Sequence, residues 1–202
     1  MTTAVPERHP LRELFREATR WAFRYTEFTD PRAAEEGLRA YLSEELLTRF
    51  LHVDQLYRLR DARGRALADV GEMLASGEAR GVPRPLHALA VQRHIGDYTL
   101  FISGLFPENL ARVSRDWRRK DAVMVQLGDL LVPFHDVGEY YEEAGRRAYR
   151  QAAELAHEAG LPEADRFALL SDFFPDYTKT LSLVRVYLDA SPAFAEHRRI
   201  IV

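Results

Sequence analysis

The sequence predicts an all-α fold, a single-domain bundle of six or seven helices. Apolar residues recur at helical spacing along most of the chain, and glycine and proline punctuate these stretches as they do at helix ends. Hydrophobic residues make up 47% of the 202 residues and charged residues 29%, which are globular values. We expect one domain over residues 1–202, with a short disordered N-terminus over 1–9 and a tail over 191–202.

The first three helices are predicted from spacing and capping residues. Pro10 suits the first position of an amphipathic helix. Asp30 can accept hydrogen bonds from free N–H groups and Pro31 has no N–H to lose, so the pair can begin a second helix, which apolar spacing continues to Phe50. A third helix is expected over about 53–76.

Further helical segments are predicted downstream. Gly104 followed by Pro107 is typical of a helix C-terminus, and Asp136 three residues before Glu139 resembles a capping box. The predicted segments cover about 85–104, a short helix from 107, a long helix over 136–159, and 162–189 with a break at Pro175.

Residues 122–134 interrupt the helical pattern. The run from Val123 to Val132 is apolar and rich in β-branched residues, and Gly128-Asp129 could form a two-residue hairpin turn. A run this short also fits a buried helix, so both a short β-hairpin and a helix remain open.

Composition and motif searches exclude several function classes. The formal net charge of −3 gives no bulk attraction to nucleic acid or anionic membranes, and the lack of cysteine excludes disulfides and thiolate chemistry. We find no signal peptide, no membrane-spanning run and no nucleotide-binding, serine-hydrolase or zinc-protease motif. We therefore expect a cytoplasmic protein.

Two groups of residues invite a metal hypothesis. Glu154-x-x-His157 matches the spacing of di-iron helix bundles, but both residues fall opposite the alanine-rich stripe of their helix, so we expect them to be exposed. On the fourth helix His87, His94 and Asp97 lie within or beside the apolar arc. These three are either satisfied core residues, which we favour, or a transition-metal or catalytic site in which Asp97 orients His94.

Two further expectations concern the fourth helix. A buried Asp97 needs charge compensation, and we expect it from an arginine between Arg58 and Arg65. Gly96 costs a helix about 1 kcal/mol relative to alanine, so we expect another backbone to approach it closely.

Clusters of arginine raise the question of nucleic acid. The clusters comprise Arg58, Arg60, Arg63 and Arg65, and later Arg112, Arg115, Arg118, Arg119 and Lys120 beside Trp117. Arginine forks suit phosphate and an indole can stack on a base. Because acids outnumber bases in the chain, pairing with carboxylates is favoured over nucleic-acid binding.

Several stretches together resemble a family of uncharacterised bacterial all-helical proteins. The resemblance covers roughly residues 40–190 and rests most on His94-Ile95-Gly96-Asp97-Tyr98-Thr99-Leu100-Phe101, with Gly104-x-Phe106-Pro107-Glu108 following. The family has no established function, so the resemblance implies only the helical fold.

The absence of a catalytic motif favours a non-catalytic protein-interaction or scaffold module without a cofactor, binding a protein partner or forming a homodimer. The alternative is a helical-bundle protein that binds a metal or cofactor through His87, His94 and Asp97.

Overall fold

The computed structural model describes residues 10–49, 52–60, 63–67, 70–78, 85–110, 123–127, 130–134 and 136–194. The elements in chain order are α1 (Pro10–Phe23), a 3-10 turn (Pro31–Ala34), α2 (Glu36–Ala40), a π-helical segment (Tyr41–Leu47), α3 (Val53–Leu56), α4 (Val70–Glu78), α5 (Pro85–Leu105), β1 (Val123–Leu127), β2 (Leu130–Phe134), α6 (Val137–Glu158), α7 (Ala164–Asp172) and α8 (Phe174–Asp189). The predicted all-α class is confirmed.

Residues 123–127 and 130–134 form two strands, as the predicted hairpin requires, and not a helix. Strands β1 and β2 pair antiparallel, with Leu127 opposite Leu130 and Val123 opposite Phe134. The predicted turn residues 128 and 129 lie outside the described residues.

The ends of the later helices confirm several capping predictions. The carboxylate of Asp136 accepts hydrogen bonds from the backbone N–H groups of Gly138 at 2.6 Å and Glu139 at 3.2 Å, and α6 begins at the next residue. A short helical turn begins at Pro107, as predicted. Pro175 lies in the first turn of α8, where proline is tolerated, so the predicted break falls between α7 and α8.

The second and third predicted helices are corrected. Asp30 accepts from the backbone N–H of Arg32 at 2.9 Å, but it caps only the 3-10 turn, and a new helix begins at Glu36. The predicted helix over 53–76 is wrong, because Arg60 forms an isolated β-bridge with Ala66 between α3 and α4. Gly64 lies in that stretch at φ +80°, which the interior of a right-handed helix does not allow.

Helix α5 is the centre of the bundle. It packs against α6 and α8, and also contacts α4 and the π-helical segment, while α1 covers α8. Tyr98, Phe101 and Ile95 of α5 are buried, as the apolar arc predicts. In the described part of the chain, no helix has the length and apolar composition to cross a membrane.

The two predicted terminal segments, 1–9 and 191–202, lie mostly outside the described residues. Residues 1–9 and 195–202 lie outside the described residues. Phe194, inside the predicted tail, is buried against the core, so at least the start of that segment is packed.

Candidate functional site

Asp97 lies on α5 and has no exposed surface. Its Oδ1 accepts hydrogen bonds from the hydroxyl groups of Tyr41 at 2.5 Å and Tyr149 at 2.9 Å. Its Oδ2 accepts from Nη1 of Arg49, also at 2.5 Å. A buried carboxylate needs both charge and hydrogen bonds to be compensated, and these three donors supply them. The predicted burial of Asp97 is confirmed.

The π-helical segment and the residues directly after it supply two of these donors. The hydroxyl of Thr48 donates to the carbonyl of Ser43, five residues earlier, at 3.0 Å. π-Helical turns, whose backbone hydrogen bonds span five residues, are rare and occur frequently at functional sites. Tyr41 begins the segment and Arg49 follows its end, and both reach Asp97.

Glu45, in the middle of the same segment, forms the centre of a second layer of charges. Its Oε2 accepts from Nη2 of Arg93 at 2.5 Å and lies 3.9 Å from Nη2 of Arg49, while its Oε1 accepts from Arg166 at 3.3 Å. Arg93 Nε lies 3.6 Å from Oδ2 of Asp97, which links the two layers. The guanidinium groups of Arg93 and Arg166 each lie 5.2 Å from the ring centre of Tyr41.

The protonation states of this cluster follow from burial and charge. Burial and, second, the charge of Asp97 raise the pKa of Tyr41 and Tyr149 well above the usual value, so both hydroxyls stay protonated and donate. Burial opposes the charge of Arg93, but the carboxylates of Asp97 and Glu45 raise its pKa above the usual value. The cluster is therefore a fixed array of donors and charges at neutral pH.

His94 is fully buried three residues before Asp97. Burial first, and the positive charge of Arg58 second, lower the pKa of His94 to about 3, although the negative charge of Asp97 opposes this. The imidazole is therefore neutral at physiological pH, and Asp97 takes its positive partner from Arg49 instead.

A cleft of about 560 Å³ opens above this cluster. This volume is typical of small-molecule sites. Its polar lining consists of Arg12, Glu44, Glu45, Thr48, Arg49, His52, Gln55, Arg58, Arg93 and Glu163, and its apolar lining of Leu86, Leu89, Ala90 and Phe167.

Two arginines of the cleft have donors to spare. Nε of Arg12 is buried and has no hydrogen-bond partner within the described residues. Arg58 donates from Nη2 to the backbone carbonyl of Ala90 at 2.9 Å, and no carboxylate of the described residues pairs with it. Desolvation first, and repulsion from Arg49 second, lower the pKa of Arg58 from its usual value. An added negative charge beside Arg58 would relieve this repulsion.

The three predicted metal ligands are not brought together. His94 and Asp97 are buried, but His87 is exposed. Among the described residues, no group of three or more His, Asp or Glu side chains is placed to hold a metal ion. The placement of His87 in the buried arc is wrong because the first turns of α5 border the cleft, where Leu86 is exposed as well.

The predicted partner of Asp97 is also corrected. It is Arg49, just after the π-helical segment, and not an arginine between Arg58 and Arg65. The stretch around Gly64 is not helical, and Arg60, Arg63 and Arg65 are exposed, while Arg58 reaches α5 only at the carbonyl of Ala90. Arg65 instead pairs with Glu72 at 3.1 Å on the surface.

The neighbour of Gly96 differs from the prediction as well. A close approach exists, but it is made by the ring of Tyr149 rather than by a backbone. A Cβ on Gly96 would lie 2.7 Å from Cδ1 of Tyr149. Gly96 thus makes room for a tyrosine that donates to Asp97.

The remaining candidate residues lie apart from the cleft. Glu154 and His157 are exposed on α6, as predicted. Arg60, Arg63 and Arg65 are exposed, and the second basic run over 112–120 lies outside the described residues.

Sequence reasoning missed Tyr41, Glu45, Arg49 and Tyr149. The four-residue spacing of Tyr41, Glu45 and Arg49 was a usable signal, because three polar or amphipathic residues repeat there among buried leucines. No comparable signal marks Tyr149, which belongs to the apolar face of α6.

Comparisons of the chain with protein-family models, with curated proteins and with solved structures found no match. The resemblance to a bacterial helical family therefore stays an expectation.

Proposed function

We propose that this protein binds a small anion in the arginine-lined cleft. Arg58 carries the proposal, since it lines the same cleft as Arg49 and Arg93 but has no carboxylate partner among the described residues. The buried, unpartnered Nε of Arg12 on the same cleft supports it. A buried donor without an acceptor costs about 1–3 kcal/mol, which an anionic ligand would recover.

The Asp97 cluster supports binding rather than proton transfer. Its two tyrosines have raised pKa values and serve only as donors, and its carboxylate is already shared by three partners. Asp97 therefore acts as a positioning residue that fixes Arg49 at the floor of the cleft. Arginine fixed in this way loses little conformational entropy when it binds a ligand.

Thermal unfolding in the presence of anions tests the proposal. We expect acetate or phosphate to raise Tm with concentration beyond the effect of chloride at equal ionic strength, as ligand linkage requires. Arg58→Gln should weaken this effect at least tenfold in apparent Kd. Arg150→Gln, a change of an exposed arginine on α6, should leave it unchanged. Equal responses to all three anions would refute the proposal.

A homodimer is a second proposal, supported by a different surface. Tyr25 and Val186 are each 60% exposed, and the ring of Trp21 lies 4.9 Å from Tyr25 and 5.6 Å from Tyr187. Exposed apolar groups of this kind mark interaction surfaces. Analytical ultracentrifugation should show a dimer that Tyr25→Glu dissociates, and a monomer at all concentrations would exclude it.

A further inference from the structure

One wall of the cleft is apolar and partly uncovered. Leu86, Leu89 and Ala90 from α5 form it together with Phe167 from α7. Leu86 is 63% exposed, so part of this wall faces solvent. A ligand that covered it would gain hydrophobic stabilisation in proportion to the apolar area removed from water.

The same helix carries both the apolar wall and a cationic end. Leu86, Ala90 and Arg93 follow at helical spacing along one side of α5, and all three line the cleft. Arg58 reaches this side of α5, because its Nη2 donates to the carbonyl of Ala90, one helical turn or about 6 Å along the axis from Leu86. A ligand that spans this distance needs a charged head and an apolar body.

The charges of the cleft favour a single negative charge on the ligand. Four arginines line the cleft, but so do three glutamates, Glu44, Glu45 and Glu163, and Asp97 lies beneath them. These formal charges cancel, and Arg93 and Arg49 are already engaged by Glu45 and Asp97. The glutamates would repel a phosphate dianion or a polyphosphate, whereas a single carboxylate can pair with Arg58.

We infer that the ligand is a monocarboxylic acid with a short apolar body, its carboxylate at Arg58 and its body against Leu86 and Leu89. This inference rests on the proposed anion binding. It adds the class of ligand and the role of Leu86, which selects for apolar length.

Calorimetric titration of the full chain with straight-chain carboxylates from acetate to octanoate tests the inference. We expect Kd to tighten about fourfold for each added CH₂ group that the wall buries. Inorganic phosphate should bind more weakly than hexanoate, and hexanol, which lacks the charge, should bind at least tenfold more weakly than hexanoate.

Two variants of exposed apolar residues make the test specific. Leu86→Ser should reduce the dependence on chain length while leaving the affinity for acetate within twofold. Val186→Ser removes an equally exposed side chain outside the cleft, on the surface proposed for the dimer, and should change neither the dependence on chain length nor the affinity for acetate. A chain-length dependence that survives in Leu86→Ser would overturn the assignment of the wall.

The outcomes separate the two proposals. If acetate, hexanoate and phosphate bind with equal affinity, and Arg58→Gln abolishes all three, anion binding stands and the carboxylic-acid inference fails. If no anion binds at all, the proposed function fails, and this inference fails with it.

Discussion

Replacing Asp97 by asparagine is the most informative single change, because it removes one buried charge and keeps the shape of the side chain. The carboxylate has no exposed surface and accepts from Arg49, Tyr41 and Tyr149. In Asp97→Asn the amide retains one oxygen for a tyrosine hydroxyl. Its NH₂ group, however, faces a second donor, and Arg49 loses its nearest counter-charge.

The size of the effect follows from what remains around Arg49. Removing one partner of a buried ion pair costs about 3–5 kcal/mol. Arg49 keeps Glu45 at 3.9 Å, and 18% of its side chain is exposed, so solvent and Glu45 compensate in part. We therefore expect the lower end, about 3 kcal/mol, which lowers Tm by about 6–12 °C for a chain of this size.

Chemical and thermal unfolding, followed by circular dichroism, measure this difference. Glu154→Gln is the matched control, because it is the same acid-to-amide change on an exposed helix face, and it should alter stability by less than about 0.5 kcal/mol. If Asp97→Asn melts within two degrees of the parent, the pair contributes little and the reasoning is wrong. Loss of anion binding with unchanged stability would show that Asp97 serves the cleft alone.

Two further predictions concern the same helix. Gly96→Ala should lower the free energy of unfolding by about 1–2 kcal/mol, because the new Cβ would lie 2.7 Å from the buried ring of Tyr149. Gly37→Ala is the control: its Cβ would have open space, so it should raise the free energy of unfolding by up to about 1 kcal/mol. A gain in Tm for both variants would contradict the close contact at Gly96. The pKa of His94 is lowered to about 3 in the folded protein, from an ordinary value of 6.5. Between pH 6.5 and pH 3 the unfolded chain therefore binds a proton at His94 that the folded protein does not bind. The free energy of unfolding should fall over this range by up to about 1.4 kcal/mol for each unit that the pH drops. His94→Gln should remove this part of the slope, and a slope equal to that of the parent chain would show that burial does not lower the pKa of His94.

The long helices could be predicted because periodicity and end signals agree in them. In α6 the cap at Asp136 and the buried stripe through Ala144 and Ala148 point to the same helix. The stretch 53–76 has apolar spacing without that agreement: Leu67 is buried, yet it follows the turn at Gly64. Periodicity reports which residues are buried, and it cannot separate a helix from a loop whose leucines reach the core.

The candidate site was predictable only where one helix carries it. Asp97 and His94 share α5, so a helical wheel finds their burial without knowledge of any neighbour. Their partners come from elements 40 to 60 residues away in sequence, as with Tyr41 and Tyr149. Which tyrosine meets Asp97 depends on how α6 and the π-helical segment pack against α5, and a single sequence does not specify that packing.

No short sequence motif marks the cleft, because its arginines come from separate segments of the chain. A short motif marks a site when neighbouring residues of one loop or helix contact the ligand, as in a phosphate-binding loop. Here Arg12, Arg49, Arg58 and Arg93 approach the cleft from four separate segments. Asp97 fixes Arg49 from below, and Glu45 restrains Arg93 from the side. Arg58 is left as the cation that a ligand can neutralise, so its place on the cleft and its lack of a carboxylate partner among the described residues, rather than spacing in the sequence, distinguish it from Arg49 and Arg93.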